Sequence, residues 1–145
     1  MLIPHVVQTE ADKVFVNVLN NQGSSVTDGE AVVWNTSTPD GVRTTQPAAA
    51  TLTLVVGLAD GTIAASAYGL AQAYGYKASG SVINNKTTTV NTGDALIATA
   101  AQDYLAFGAT GGAGSAMSVV YYADSAYVTD STPAAAAKKV FIRAL

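Results

Sequence analysis

The sequence has no cysteine, a single histidine and only two glutamates among its 145 residues. The lack of cysteine excludes disulfide bonds and thiolate metal sites, and one histidine is too few for a conventional zinc site. Nucleophilic catalysis needs a base held beside the nucleophile, and His5 lies in a presumed N-terminal arm. We therefore expect a protein that is not an enzyme, with no catalytic residues, no metal and no cofactor.

Charged residues are also scarce. They make up 12% of the chain, about half of the usual ~25%. The net charge is −3 and the isoelectric point is near 4.7. A nucleic-acid binder needs a basic surface to displace counterions, so nucleic acid is not an expected partner. A surface that is largely uncharged and polar suits close packing against other protein.

Residues 104–123 contain no charge and carry aromatic residues at both ends, as a membrane-spanning helix can. The centre of this stretch, GATGGAGS, is weakly hydrophobic and poor in helix-forming residues. Two strands joined by a glycine-rich loop fit it better. The N-terminus also lacks the pattern of a secretory signal. We expect no membrane partner.

Turn signals divide the sequence into short segments rich in β-branched and aromatic residues. The Asp-Gly pairs Asp28–Gly29, Asp40–Gly41 and Asp60–Gly61 are typical of tight turns. Period-two patterns predict an all-β fold, a small antiparallel β-barrel or sandwich of about eight strands. One such domain fills residues 12–145, preceded by an extended arm at 1–11, and no tandem repeat is apparent. The predicted strands are 13–19, 30–35, 51–58, 68–77, 94–99, 104–107, 117–123 and 140–145.

The segment 68–77 has one small side and one large side. Small residues at strand positions indicate that backbone or another surface comes close. That side is therefore expected against a curved barrel wall, a second sheet or a neighbouring subunit. The large side is core or interface, with core packing favoured. The small side carries Gly69, Ala71, Ala73 and Gly75, and the large side carries Tyr68, Leu70, Gln72, Tyr74 and Tyr76.

Helix signals are confined to the region before the last strand. Ser131–Thr132–Pro133 resembles an N-cap followed by proline at the first helical position. The sequence AAAAKK follows at 134–139 and places two lysines where a helix dipole favours cations. The pattern predicts one short, alanine-rich helical turn near the C-terminus.

Two segments carry a resemblance to known proteins. VVGLADGTIAASAYGLAQAYGYKAS, residues 55–79, contains Gly57–Leu58–Ala59 and then the strand Tyr68–Gly75. After a variable polar stretch, VNTGDALIATAAQDYLAFG, residues 90–108, contains the turn and strand Gly93–Asp94–Ala95–Leu96. This order resembles small virion proteins of tailed bacteriophages, above all capsid decoration (cement) proteins. The opening VFVNVLNNQGSSVTDGEAVVW (14–34) and the ending KKVFIRAL (138–145) are similar in style.

The resemblance implies a non-enzymatic β-barrel-like protein that binds the exterior of an expanded capsid and strengthens it. Its implied partners are the major capsid protein and further copies of itself, often as homotrimers. The family's attachment surface has no fixed motif, so no functional residue is carried over. Residues of the N-terminal arm and of the C-terminal strand are our candidate capsid or subunit contacts: Leu2, Ile3, Val6, Val7, Phe141, Ile142 and Arg143.

Two other functions remain open. The chain could be a tail, neck or head-fibre component of the virion, which low copy number would indicate. It could also be a carbohydrate- or surface-binding β module that uses Tyr68, Tyr74 and Tyr76, since exposed aromatic rings stack on sugars.

Overall fold

The computed structural model describes residues 12–84, 89–107, 120–128 and 134–144, which form nine β-strands and no helix. The prediction of an all-β chain is confirmed, and no helix in these ranges is long and apolar enough to span a membrane. The predicted arm, residues 1–11, lies outside them. The strands are β1 (Val14–Asn20), β2 (Ala31–Trp34), β3 (Arg43–Thr45), β4 (Val55–Ala59), β5 (Tyr68–Ile83), β6 (Ala95–Ala98), β7 (Leu105–Phe107), β8 (Val120–Tyr122) and β9 (Ala136–Arg143).

The predicted helical turn near the C-terminus is wrong. Ala136 to Lys139 begin β9, which pairs antiparallel with β5 from Val82↔Ala136 to Tyr74↔Arg143. Alanine favours helix only weakly, and a run this short cannot form a helix on its own. Backbone pairing with the long central strand outweighs that local preference.

Two other differences concern strand limits. The short strand β3 has no period-two signal and was not predicted. The alternating segment 51–58 is a strand only from Val55 onward. Before it the chain turns, because the Thr51 N–H donates to the Ala48 carbonyl at 2.8 Å and the Leu54 N–H to the Thr51 carbonyl at 2.9 Å.

The nine strands form one sheet in the order β1-β3-β2-β4-β5-β7-β6-β8-β9. Both ends of this order return to the middle, since β1 and β9 also pair with β5. The pairs β1–β3 and β5–β7 are parallel, and all the others are antiparallel. β5 is 16 residues long, so its first half pairs with β1 and β4 and its second half with β7 and β9.

The topology contains an internal repeat that we did not find in the sequence. Adding four to each strand number converts β1-β3-β2-β4-β5 into β5-β7-β6-β8-β9, including the position of the parallel pair and the return to β5. When the two halves are aligned in this way, identical residues recur at one constant spacing along the chain. They include Val18 and Val82, Asn20 and Asn84, Asn21 and Asn85, Val26 and Val90, Gly29 and Gly93, and Ala31 and Ala95.

The repeated residues make equivalent hydrogen bonds. Buried Asn20 donates its Nδ2 to the Ile63 carbonyl at 3.0 Å, and buried Asn84 donates to the Tyr127 carbonyl at 2.7 Å. Isolated bridges join Val26 to Ile63 and Val90 to Tyr127.

The turns that follow these bridges also match. In the first, the Thr27 N–H donates to the Glu30 carboxylate at 2.6 Å, and in the second the Asn91 N–H donates to the Asp94 carboxylate at 2.7 Å. Gly29 and Gly93 both have positive φ, at 82° and 93°, which favours glycine in each turn. Three of the shared pairs, Asn20 and Asn84, Val26 and Val90, and Gly29 and Gly93, thus form or anchor these turns.

Each half contains an apolar cluster. The first cluster holds Val18, Val26, Val32, Val56, Ala59, Ile63 and Ala71. The second is larger and consists mostly of residues from the second half, together with Ala31 and Leu58 from the first. Successive side chains of β2 and β4 lie on opposite faces and pack in different clusters. These two strands therefore connect the halves.

The small side of β5 is buried, as a close approach requires. Ala71 and Ala73 are both fully buried. On the neighbouring strand, a Cβ added to Gly57 would lie 2.2 Å from the Gln72 carbonyl oxygen of β5. The backbones of β4 and β5 therefore leave no room for a side chain at this position.

Gly57→Ala is expected to lower the free energy of unfolding by about 1–3 kcal/mol, because the added methyl group meets backbone that cannot rotate away. Urea denaturation monitored by circular dichroism measures this. Gly23→Ala is the matched control, since no atom lies within 4 Å of a Cβ there. Equal stability of the two variants would contradict the close approach.

Candidate contact surface

The outward side of β5 carries large apolar side chains. Tyr68 is 66% exposed, Leu70 45% and Tyr76 54%. The sequence favoured core packing for this side of the strand. That interpretation is wrong for Tyr68, Leu70 and Tyr76, whereas Gln72 is fully buried and Tyr74 is half-buried. On the opposite side, Ala71, Ala73 and Gly75 are buried.

The neighbouring strand β1 extends this surface. Val14 and Phe15 are 40% and 41% exposed, and the register places β1 directly beside the first half of β5. Among the described residues, six large apolar side chains are exposed, and five of them lie on these two strands: Val14, Phe15, Tyr68, Leu70 and Tyr76. We call these five residues the β5 surface. Their concentration on adjacent strands distinguishes them from the scattered apolar residues of an ordinary surface.

An aromatic cluster borders the β5 surface where β9 pairs with β5. The ring of Phe141 lies edge-to-face with Tyr74, at 5.5 Å between centroids, and with Tyr76, at 5.1 Å. Arg143 is exposed and pairs directly with Tyr74 across the strands. Such contacts fix the directions of the rings and hold Tyr76 in place at the surface.

The predicted contact residues of β9 therefore have different environments. Phe141 and Arg143 lie on the outward side, beside the β5 surface. Ile142 between them is fully buried and packs within the larger apolar cluster of its own subunit. The other predicted contact residues, Leu2, Ile3, Val6 and Val7, lie outside the described residues.

A buried lysine lies on the same long strand. Lys77 is 5% exposed, and its Nζ donates to Asp28 Oδ1 at 2.8 Å and to Asp60 Oδ1 at 3.0 Å. Ser79 Oγ and the Gly61 N–H also donate to the Asp28 carboxylate. The two aspartates were predicted only as turn residues, and each is followed by the expected glycine. No pattern in the sequence indicates that both turns meet one lysine of β5.

The bonds that Asp28 accepts outweigh its partial burial. Burial alone raises the pKa of this carboxyl, but the hydrogen bonds from Lys77, Ser79 and Gly61 lower it from the ordinary 3.8 to about 2. Asp28 is therefore ionised near neutral pH and forms an ion pair with Lys77. This cluster ties two loops to the middle of β5. Among the described residues, no three metal-ligating side chains lie close enough together to hold a metal ion.

A small pocket lies where β2 ends and the loop to β3 begins. It has a volume of about 270 Å³ and is lined by Trp34, Asn35, Thr36, Pro39, Gly41 and Arg43. The sequence predicted Gly41 only as part of a turn and predicted no binding site here, because an isolated tryptophan in a strand is most often part of the core. Trp34 does pack partly against the first apolar cluster.

Lys77→Met is expected to reduce the decrease in the free energy of unfolding that occurs as the pH falls. Because the pKa of folded Asp28 is depressed, its bonds contribute stability that is present above pH 3.8 and lost as the pH falls through about 2. Without Lys77 the pKa moves back toward its ordinary value. Urea unfolding measured between about pH 4 and pH 2 should then show that the free energy of unfolding falls less in the variant than in the wild type.

Lys13→Met, which removes an exposed lysine, is the control and should retain the wild-type pH dependence. If Lys77→Met retained it too, Lys77 would not be the group that depresses the pKa of Asp28.

Comparisons with known proteins assign no family to this arrangement. No protein-family model matches the chain. No curated protein sequence matches it either.

Proposed function

We propose that the chain is a non-enzymatic structural protein that binds the outside of a phage capsid and stabilises it. The observation that carries the proposal is the β5 surface, a strip of exposed tyrosine, leucine, phenylalanine and valine on two adjacent strands. Apolar and aromatic side chains gathered in this way are typical of protein contact surfaces. The resemblance of the sequence to decoration proteins supplies the partner, the major capsid protein.

The surface is well supported from beneath. The inner side of β5 is closely packed, four strands pair with it along its length, and the Phe141 contacts fix Tyr74 and Tyr76. A rigid surface loses little conformational entropy on binding. Each copy needs only a modest affinity, because many identical copies bound to a shell stabilise it collectively.

A barrel-like subunit and a homotrimer belong to the same proposal. In each half the strands return to β5, which is the pairing expected of small closed barrels. The exposed Arg143 and the aromatic cluster lie next to the β5 surface, where a contact between copies could continue it. Burying the rings and aliphatic side chains of this region supplies about 25 cal/mol per Å² of apolar area.

The first test is the copy number of the chain in particles purified from its source, measured by quantitative mass spectrometry against the major shell protein. We expect near-stoichiometric amounts, such as one trimer for each local threefold position. A few copies per particle would indicate a tail, neck or head-fibre component instead. Absence from every particle would overturn the virion proposal.

The second test addresses the β5 surface itself. The double substitution Tyr68→Ser with Leu70→Ser should weaken rebinding to stripped particles at least tenfold. The reason is that two large apolar side chains, which the contact would bury, are replaced by small polar ones. A pelleting assay over a range of protein concentrations measures this. Val128→Ser is the control, since Val128 is as exposed as Tyr68 but lies outside the β5 surface. Wild-type binding by the double variant would place the contact elsewhere.

A further inference from the structure

Comparison of the two halves of the repeat draws attention to one surface loop that is exposed where its counterpart is packed. The loop between β6 and β7 joins the halves, because the Ala101 N–H donates to the Pro47 carbonyl at 2.8 Å and the Ala31 N–H to the Asp103 carbonyl at 2.8 Å. The equivalent loop of the first half lies between β2 and β3. Its residues 36–41 are all exposed, and it forms the pocket beside Trp34.

This loop is held in shape by its own side chains. Asn35 Oδ1 accepts the N–H groups of Ser37 and Thr38, at 2.9 and 3.1 Å. Asp40 Oδ1 accepts those of Val42 and Arg43, at 3.0 and 2.9 Å. Four hydrogen bonds to the side chains of Asn35 and Asp40 therefore hold the loop, and with it the pocket, in one shape.

The wall and the rim of the pocket differ in chemistry. One side of the Trp34 side chain packs against the first apolar cluster, which fixes the orientation of the indole. At the rim the Arg43 guanidinium forms an ion pair with the Asp40 carboxylate. Backbone hydrogen bonds from Arg43 and Val42 lower the pKa of Asp40, so the pair stays charged near neutral pH. The rim therefore offers oriented N–H donors and carries no net charge.

We propose that this pocket binds one pyranose ring of a neutral saccharide. The apolar face of a sugar ring stacks on an aromatic side chain. Its hydroxyl groups accept hydrogen bonds from a guanidinium, and they both donate to and accept from a protein hydroxyl group. Trp34 supplies the ring, Arg43 the guanidinium and Thr36 the hydroxyl group. The proposal is independent of the capsid function and concerns a different part of the molecule from the β5 surface.

Size and charge select this ligand class over others. The volume of about 270 Å³ lies just below the ~300 Å³ at which pockets for drug-sized ligands begin, so it admits a single ring and not an extended peptide. A phosphate or carboxylate ligand would need a free cation, and Arg43 is already neutralised by Asp40.

Trp34 is the only tryptophan of the sequence, so its fluorescence reports directly on the pocket. The full-length protein is titrated separately with the methyl glycosides of glucose, galactose, mannose and N-acetylglucosamine, and with inorganic phosphate. We expect a saturable change with at least one glycoside and a Kd of about 1 mM, the order of affinity of a small ligand in an open pocket. Phosphate should produce no saturable change.

Matched variants locate the site. Arg43→Met should weaken binding at least tenfold, and Thr36→Val, which removes a hydroxyl group without changing the side-chain shape, should weaken it less. Arg143→Met removes an exposed arginine outside the pocket and should leave the Kd unchanged. Because Arg43 also holds Asp40, each variant is checked by urea unfolding, and Thr36→Val tests the site without touching that ion pair.

Three results would overturn the proposal. One is the lack of a saturable change with every glycoside up to about 100 mM, where a Kd near 1 mM would be saturated. Another is phosphate binding as tight as that of the sugars, which would indicate an anion site. The third is a fluorescence spectrum that changes with protein concentration when no sugar is present, which would show that a second copy covers Trp34.

Discussion

The close approach of other backbones to the inner side of β5 is the constraint on which the rest of the structure depends. Alanine and glycine line that side, and Gly57 brings β4 within a distance that excludes even a methyl group. Four strands pair with this one strand, two on each half of its length. Because pairing with these four strands spans the length of β5, the strand is held in place together with its outward side chains. The small residues inside and the tyrosines outside are therefore two consequences of one packing requirement.

The internal repeat explains how a chain with so few charged residues specifies one arrangement of nine strands. In each half, a buried asparagine and a glycine turn hold the loop that enters the second strand. An unpaired buried amide is costly, so these side chains fix the register of the segments that they bridge. The halves differ where they meet. Lys77 joins two turns of the first half to β5, and the β6–β7 loop packs on the first half, while the equivalent β2–β3 loop faces solvent.

The two proposed binding regions follow from this asymmetry. The β5 surface is apolar and supported by paired strands, which suits contact with a large protein surface. The Trp34 pocket is small, has polar groups at its rim and belongs to a loop that holds its own shape, which suits a small ligand. They share no residue, so variants of one should leave the other intact. A particle protein that attaches through one surface and presents a saccharide pocket elsewhere would combine both without conflict.

The sequence by itself determined the all-β class, the positions of most strands and the glycine turns, because period-two patterns and turn residues act locally. It also identified a small and a large side of β5. It did not decide which side is buried, since alternation is the same in either case and only packing against β4 and the apolar clusters selects one. The alanine run at 134–139 shows the same limit, because pairing with β5 overrides a weak helix preference. The repeat and the Lys77 ion pairs join residues far apart in the chain, and only the tertiary structure brings them together. The Trp34 pocket is local in sequence, but it depends on the folded shape of the β2–β3 loop and on the packing of Trp34 against the first apolar cluster.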